Sequence, residues 1–473
     1  MEHNTISRSR LLASAPPPWP RNLLGEIRRS VAASPVKLVI LDDDPTGTQT
    51  VHGLHVLTTW SVAALQAELQ KPAPGFFILT NSRSLTPSAA KDLARTIGAN
   101  LSQAAADTGI PLQVISRSDS TLRGHFPGEV DALLDAMGTP DLPRILAPCF
   151  FEGGRLTAND IHYVAEGDQL IPAAQTPYAR DAVFGYRHSH LRDWVVEKTR
   201  AAVPREFVSS ISLTDIRQGG PQRVAERLLT LGAGSYLVVN ALTYGDLDVF
   251  TAGLLAAEGQ GRQFVFRSAA SLVRVRAGIV PRDLLGREEL VVDNGHGGLF
   301  VAGSYVPKTT AQLAALRAEK GLAGIEIKVT DLLDERRQAA TVASAAEAAG
   351  RALAQGRDTV LYTSRDLVKG TGDAENLDIG QRVSESLVAI VEGITCQPRY
   401  LVAKGGITSS DVATQALNIR RAEIMGQALP GVPVWRLGPE TRWPGTAYII
   451  FPGNVGDNHA LAGIRQRLAP PQP

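Results

Sequence analysis

The feature that most constrains this chain is a recurrence of short, unbroken Val/Ile/Leu-rich runs separated by amphipathic stretches. The runs occupy residues 36–41, 54–58, 76–80, 112–115, 144–147, 236–239, 290–292, 299–302, 325–329, 359–362, 400–403 and 447–451. A strand with one wet face alternates apolar and polar residues, whereas a run that does not alternate suits a strand covered on both faces. Residues 88–106, 128–137, 222–231, 311–318, 339–354 and 378–392 carry the apolar spacing of helices. Strand–helix alternation on this scale predicts an α/β protein with mainly parallel sheets. The 473 residues exceed one domain about threefold. Gly278, Pro281, Gly286, Gly295, Gly297 and Gly298 mark the best boundary. The expectation is an N-terminal extension over 1–35 and two α/β domains, 36–290 and 296–468, with a cleft between them. The proline-rich first twenty residues are expected to be irregular, residues 21–33 a short helix, and residues 470–473 a frayed tail.

Composition narrows the function. With 48 Lys and Arg against 47 Asp and Glu, the net charge is +1. No large field of one sign is available to hold a nucleic acid, although a local basic pocket is compatible. Two cysteines far apart in sequence, Cys149 and Cys396, argue against a disulfide framework or a cysteine zinc site and fit a reducing cytoplasm. No run of about 18 apolar residues reads as a membrane span. The stretch Leu11, Leu12, Ala13 meets prolines too soon for a signal peptide. The expected partners are therefore small molecules, with self-association left open.

The densest chemical signal is the run 38–50, a strand that ends in Asp42, Asp43 and Asp44, followed by Pro45, Thr46 and Gly47. Ligands of open α/β sheets bind at the carboxyl ends of strands. Acids there can bind a divalent cation, orient a hydroxyl or take its proton; the plain alternative is that they cap and turn the chain. A second strand end carries Asp119, Ser120, Thr121, Arg123, Gly124 and His125. Arg123 suits a bidentate clamp on a carboxylate, or an internal ion pair with Asp119 that braces the loop. A third carries Asn81, Ser82 and Arg83, where the alternative is a solvated arginine on a turn. Together they predict a site for a small, polar, anionic molecule.

The second half differs. The loop Gly405, Gly406, Ile407, Thr408 follows a strand and opens a helix, a pattern in which backbone N–H groups cradle phosphate; a tight turn with a serine cap is the alternative. Gly453-Asn454-Val455-Gly456 and Gly303-Ser304 follow two further strands. Three such turns predict a nucleotide site, although neither a Walker A motif nor G-x-G-x-x-G is present. His188 and His190 lack a third ligand, His296 reads as part of a turn, and His125 adjoins the Arg123 cluster.

Taken in order, these segments resemble the four-carbon acid sugar kinase family. The resemblance rests on Asp43-Asp44-Pro45-Thr46-Gly47, the unbroken Asp119-Ser120-Thr121-Leu122-Arg123-Gly124, the segment from Ala147 to Arg155, and Thr176-Pro177-Tyr178-Ala179-Arg180-Asp181. It continues in Gly303-Ser304 with Thr310 and Gln312, Gly405-Gly406-Ile407-Thr408-Ser409, and Gly453-Asn454-Val455-Gly456. Pro45, Arg117, Ile407 and Pro452 depart from residues common in the family. The resemblance implies a sugar-binding N-terminal domain, a nucleotide-binding C-terminal domain, and transfer of the γ-phosphoryl group of ATP, with Mg2+, to a hydroxyl of threonate, erythronate or a 3-oxo derivative. It implies that Asp43, Asp44 and Asp119 orient hydroxyls, one of them taking the proton, and that Arg83 and Arg123, with Ser120 beside them, face the carboxylate. Ser304, Gly405, Gly406, Ile407, Thr408 and Gly453 would bind ATP, and no residue is assigned to a metal. A sugar-acid sensor without turnover and an ATP-dependent ligase with the same two pockets are the alternatives.

Overall fold

The computed structural model describes residues 4–304, 306–365, 368, 373–453 and 455–469. Asn454 and the tail 470–473 lie outside the described residues. The chain divides into two compact units, one of residues up to Leu54 with Thr59–Pro281, the other of His55–Thr58 with Arg282 onward.

In chain order the strands are β1 (Ile6–Ser7), β2 (Lys37–Asp42), β3 (His55–Leu57), β4 (Gly75–Leu79), β5 (Leu112–Arg117), β6 (Arg144–Ala147), β7 (Arg155–Ala158), β8 (Ile161–Glu166), β9 (Gln169–Pro172) and β10 (Val208–Ile211). They continue with β11 (Tyr236–Val239), β12 (Val265–Ser268), β13 (Leu299–Ala302), β14 (Ala323–Ile327), β15 (Thr359–Thr363), β16 (Leu401–Lys404), β17 (Arg421–Leu429), β18 (Val432–Leu437) and β19 (Ala447–Phe451).

The first unit is built on a parallel sheet ordered β10-β11-β6-β12-β5-β2-β4. Its strands are buried on both faces, as their unbroken apolar runs require: Val39, Ile40, Phe77, Ile78, Ile115, Ile145 and Val238 are inaccessible to solvent. The 22-residue helix Pro87–Thr108 begins at the Thr86 cap with proline in its first turn and stops at Gly109, where φ is +67°. A second, antiparallel sheet, β1-β9-β8-β7, has its own small core of Leu11, Leu156, Tyr163 and Leu170.

The second unit carries β3-β17-β18-β19-β16-β13-β15-β14, parallel from β19 to β14 and antiparallel from β3 to β19. Its core holds Phe300, Val402, Ile449 and Phe451. Among the described residues no helix is long and apolar enough to cross a membrane.

Two expectations need correction. Residues 290–292 form no strand: Leu290 ends a short helix from Arg287 and is buried in the core, with Val291 packed against it. Three apolar residues suffice to dock a connection without pairing it. Residues 6–14 of the proline-rich start are also not irregular. Ile6 pairs with Leu170, Ser7 caps the helix Arg8–Ser14, and Trp19 occupies the space that a side chain at Gly220 would need.

That N-terminal segment is tied to a buried ion pair. Arg217 Nε and Nη2 donate to Asp246 Oδ1 and Oδ2 at 2.7 and 2.8 Å, and Nη1 donates to the Pro16 carbonyl at 2.8 Å. Both side chains are buried, and Asp246 Oδ2 also accepts from the Leu242 and Thr243 amides. Removing one partner strands the other charge. Asp246→Asn is therefore expected to destabilise the first unit by about 3–5 kcal/mol, measured by urea unfolding followed by circular dichroism. A loss below about 1 kcal/mol, the range of an exposed pair, would contradict it.

Candidate functional site

In each unit the strand order reverses at the first parallel strand, β2 in one and β13 in the other. The chain passes from β2 to β4 and then to β5 on the other side of β2. In the second unit it places β14 and β15 on one side of β13 and then β16 on the other. Loops leaving such a point diverge and open a crevice beyond the carboxyl ends of the strands. The loops after β2 and β5, and those after β13 and β16, carry most of the sequence-predicted residues, with Arg83 after β4 and Gly453 after β19.

In the first unit, Asp43 and Asp44 leave β2, Arg83 lies in the turn after β4, and Asp119 follows β5. Arg83 Nη2 donates to Asp43 Oδ1 at 3.0 Å and lies 3.2 Å from Asp44 Oδ2, while Nη1 is 3.8 Å from Asp119 Oδ1. One guanidinium thus faces three carboxylates from two strand ends. Asp43 Oδ2 accepts from the Ser118 hydroxyl at 2.6 Å. Asp44 caps the turn Pro45–Thr48 through the Thr46 amide at 2.8 Å, so it both caps and pairs. Arg123 Nε donates to Asp119 Oδ2 at 2.8 Å, its Nη1 is 3.5 Å from Asp181 Oδ2, and its guanidinium lies over the Tyr178 ring. The Asp119–Arg123 ion pair is therefore formed. Ser120 is buried, and its carbonyl oxygen lies 2.7 Å from His162 Nε2.

The backbone is bent to make this cage. Leu122 at φ +70° and Asn81 at φ +49° lie in the left-handed region without being glycine, at a cost of order 1–3 kcal/mol each that surrounding contacts must hold. Gly47 has no room for a side chain, because a Cβ there would overlap the Asp42 carboxylate. Gly124, at φ +123°, would bring a Cβ within 2.6 Å of Ser118 Oγ.

The charges set the proton affinities. Burial raises the Asp119 carboxyl, but Arg83 and Arg123 outweigh it and hold it well below the usual carboxylate range. Asp44 also lies below its usual value, since Arg83 and the Thr46 hydroxyl overcome burial. Beneath them burial pushes Asp42 up to about 7 against the pull of Arg117, whose Nη1 is 3.2 Å away. Arg267, near the end of β12, donates to the Arg123 carbonyl at 3.0 Å, while its buried Nε and Nη1 have no hydrogen-bond partner among the described residues.

In the second unit Gly303 and Ser304 follow β13, Gly405 to Thr408 follow β16, and Gly453 follows β19. A Cβ on Gly405, at φ +109°, would come within 3.3 Å of Ser304 Cβ, and one on Gly303 within 2.9 Å of Thr408 Oγ1. The two loops therefore meet, and their glycines keep the cradle open. Gly406 opens the helix Gly406–Asp411, and Ile407 stands 66% exposed beside it. Thr310 and Gln312 brace the site: Arg365 bridges Thr310 Oγ1 and the Ser304 carbonyl, each at 2.7 Å, and Gln312 Nε2 donates to the Val455 and Asp457 carbonyls.

Sequence reasoning passed over Lys404, although it directly precedes Gly405. Its amine is buried and donates to the Pro452 and Gly453 carbonyls at 2.6 and 3.0 Å, over the Phe451 ring, tying the β16 and β19 loops together. His188 meets Glu197 and His296 meets the Gln397 carbonyl, and among the described residues there is no group of three or more His, Cys, Asp or Glu that could hold a metal ion.

Burial, and then the nearby Lys308, lower Lys404 from 10.5 to about 7. The unfolded chain keeps this proton to higher pH than the folded one, so Lys404 makes stability rise with pH from about 7 to about 10. Lys404→Met is expected to flatten that rise in the second unit, read as unfolding midpoints at pH 7 and 9.5. An identical pH dependence in both proteins would mean that the amine stays charged.

The comparisons with known proteins follow the same division. A family model described as a sugar-binding N-terminal domain matches residues 38–276, and one described as a nucleotide-binding C-terminal domain matches residues 299–461. A D-erythronate kinase of Heliobacterium modesticaldum is 28% identical over 319 residues, 64% of this chain; the chain spans 65% of the length of that curated relative. Two crystal structures share the fold. One, from Salmonella typhimurium LT2, carries a tRNA-synthase name (TM-score 0.64, 18% identity, 91% of this chain and 98% of that one covered). The other is Haemophilus influenzae protein HI1011 (TM-score 0.61, 17% identity, 91% and 100% covered). At these identities the two structures speak for the fold alone. The first family model by itself covers half of the chain, and the chain belongs to the four-carbon acid sugar kinase family.

Proposed function

We propose that this protein is an ATP-dependent kinase that phosphorylates a hydroxyl of a four-carbon sugar acid such as threonate, erythronate or a 3-oxo derivative. The observation that carries the reading is the cage at the β2/β5 reversal, where Arg83 and Arg123 are held among Asp43, Asp44, Asp119 and Asp181. A sugar acid carries a carboxylate that seeks guanidinium and hydroxyls that seek carboxylate oxygen, and the cage offers both. The named relative, a D-erythronate kinase, supports the same substrate class.

In the cage, Arg83 and Arg123 bind the substrate carboxylate, exchanging part of their contact with the aspartates for it. Asp43, Asp44 and Asp119 accept hydrogen bonds from the hydroxyls and fix which one is presented. Held low by arginine, Asp44 and Asp119 stay ionised and keep accepting at neutral pH. In the second unit, the Gly303–Ser304 and Gly405–Thr408 loops fit a phosphate chain, because a Cβ at either glycine would crowd the opposite loop. Gly453, fixed by Lys404, forms a further part of that cradle, and the exposed Ile407 offers apolar surface to a base. Among the described residues no group of three or more acidic, His or Cys side chains is assigned to a metal; Mg2+ bound with ATP would neutralise phosphate charge during transfer.

An ADP-release screen tests the reading. ADP is expected with ATP plus a four-carbon sugar acid, not with ATP alone, and poorly with the neutral alcohol of the same stereochemistry. Arg123→Lys keeps the charge but loses the planar fork. It is expected to lower kcat/KM for the acid by roughly 10²-fold through misalignment and to narrow the acid-to-alcohol preference, with the KM for ATP unchanged. A requirement for a third substrate would favour a ligase, and binding without ADP a sensor. Unchanged preference with a lower Tm would make Arg123 a brace for the Asp119 loop only.

A further inference from the structure

One carboxylate beside the cage has no cation of its own. Glu129 lies in the first turn of the helix Gly128–Ala136, its amide donating to the His125 carbonyl at 3.0 Å. Its carboxylate sits beside the buried Ser82 hydroxyl and within the fields of Asp43, Arg267 and Arg83. It makes no ion pair within 4 Å among the described residues, whereas Asp43, Asp44 and Asp119 each hold an arginine. The residue remains partly open to solvent.

That difference sorts the acids. A carboxylate already gripped by guanidinium and hydroxyl donors has its lone pairs engaged and gains little by taking a proton. One with no cation beside it gains more. We propose that Glu129, rather than one of the three aspartates, accepts the proton of the substrate hydroxyl, an assignment that rests on the kinase reading above. The hydroxyl O–H bond breaks as its oxygen bonds to the γ-phosphorus of ATP. The proton passes to the Glu129 carboxylate, the bond from γ-phosphorus to the bridging oxygen breaks, and ADP leaves with that electron pair. Glu129 then returns the proton to water.

Its proton affinity agrees. Burial raises the carboxyl to about 7, with Asp43 adding to it and Ser82, Arg267 and Arg83 opposing. A base works best with a pKa near the working pH. The other groups facing this corner are His125, whose Nε2 lies 3.0 Å from the Ser82 carbonyl oxygen, and Lys91, whose stem would meet a Cβ at Gly128.

The test is the pH dependence of kcat with saturating ATP and sugar acid, in the full chain. The wild type is expected to gain rate as pH rises through about 7. Glu129→Gln is expected to lose roughly 10²–10⁴-fold in kcat together with that limb, while keeping the KM for the acid within a few-fold and its Tm. Glu129→Asp, with the carboxylate withdrawn, is expected to recover part of the rate and the limb. A Glu129→Gln protein with wild-type kcat, or with lower kcat and the limb intact, would overturn the assignment while leaving the kinase reading standing. If Glu129→Gln does not fold, Glu129→Asp decides: wild-type kcat there would overturn it, and a reduced kcat with the limb retained would support it. A wild type inactive with every sugar acid would remove the kinase reading and this assignment with it.

Discussion

A parallel sheet covered by helices on both faces can meet water and ligand only at its strand ends, and this chain concentrates its buried charge there. The interaction on which the first unit's site depends is Arg83 against Asp43, Asp44 and Asp119. Each charge alone would be costly to desolvate. Together they fix the loops after β2, β4 and β5 in one arrangement, and they do so where the strand order reverses. The strained Leu122 and Asn81 and the side-chain-free Gly47 and Gly124 belong to the same arrangement. A cage of paired charges is also well suited to a polar anion, because ligand charge can replace internal charge without leaving any group unpaired.

The second unit solves a related problem with backbone rather than charge. Its glycines keep two loops apart by less than a side chain, and Lys404 holds a third loop to them through two carbonyls. An amine buried this deeply stays only because those acceptors and the Phe451 ring surround it.

Most of the parallel strands were legible because burial on both faces writes itself as an unbroken apolar run. Residues 144–147, 236–239 and 447–451 are strands with those same bounds. What was not legible has physical reasons. β7, β8 and β9 form a small sheet whose faces mix Thr157, His162 and Tyr163 with charged ends, so neither period stands out. β12 ends in Arg267 and Ser268, which leave it an apolar run of only three residues, Phe264 to Phe266, although both are buried. The motif aspartates and arginines converge because a motif at a strand end inherits the position of that strand. Glu129 and Lys404 did not announce themselves. One is a single acid in an ordinary first helical turn, the other a lysine before two glycines, and what distinguishes each is the company supplied by remote segments.

The central claim is that this chain moves a phosphoryl group from ATP to a sugar acid. The most direct measurement is ³¹P NMR of the purified protein with ATP, Mg2+ and each four-carbon sugar acid. The expected result is loss of the γ-phosphate signal and growth, in equal amount, of ADP and of one new phosphomonoester that appears only when the acid is present. Inorganic phosphate in place of the ester, AMP with pyrophosphate, or an unchanged ATP spectrum with every acid would contradict the account.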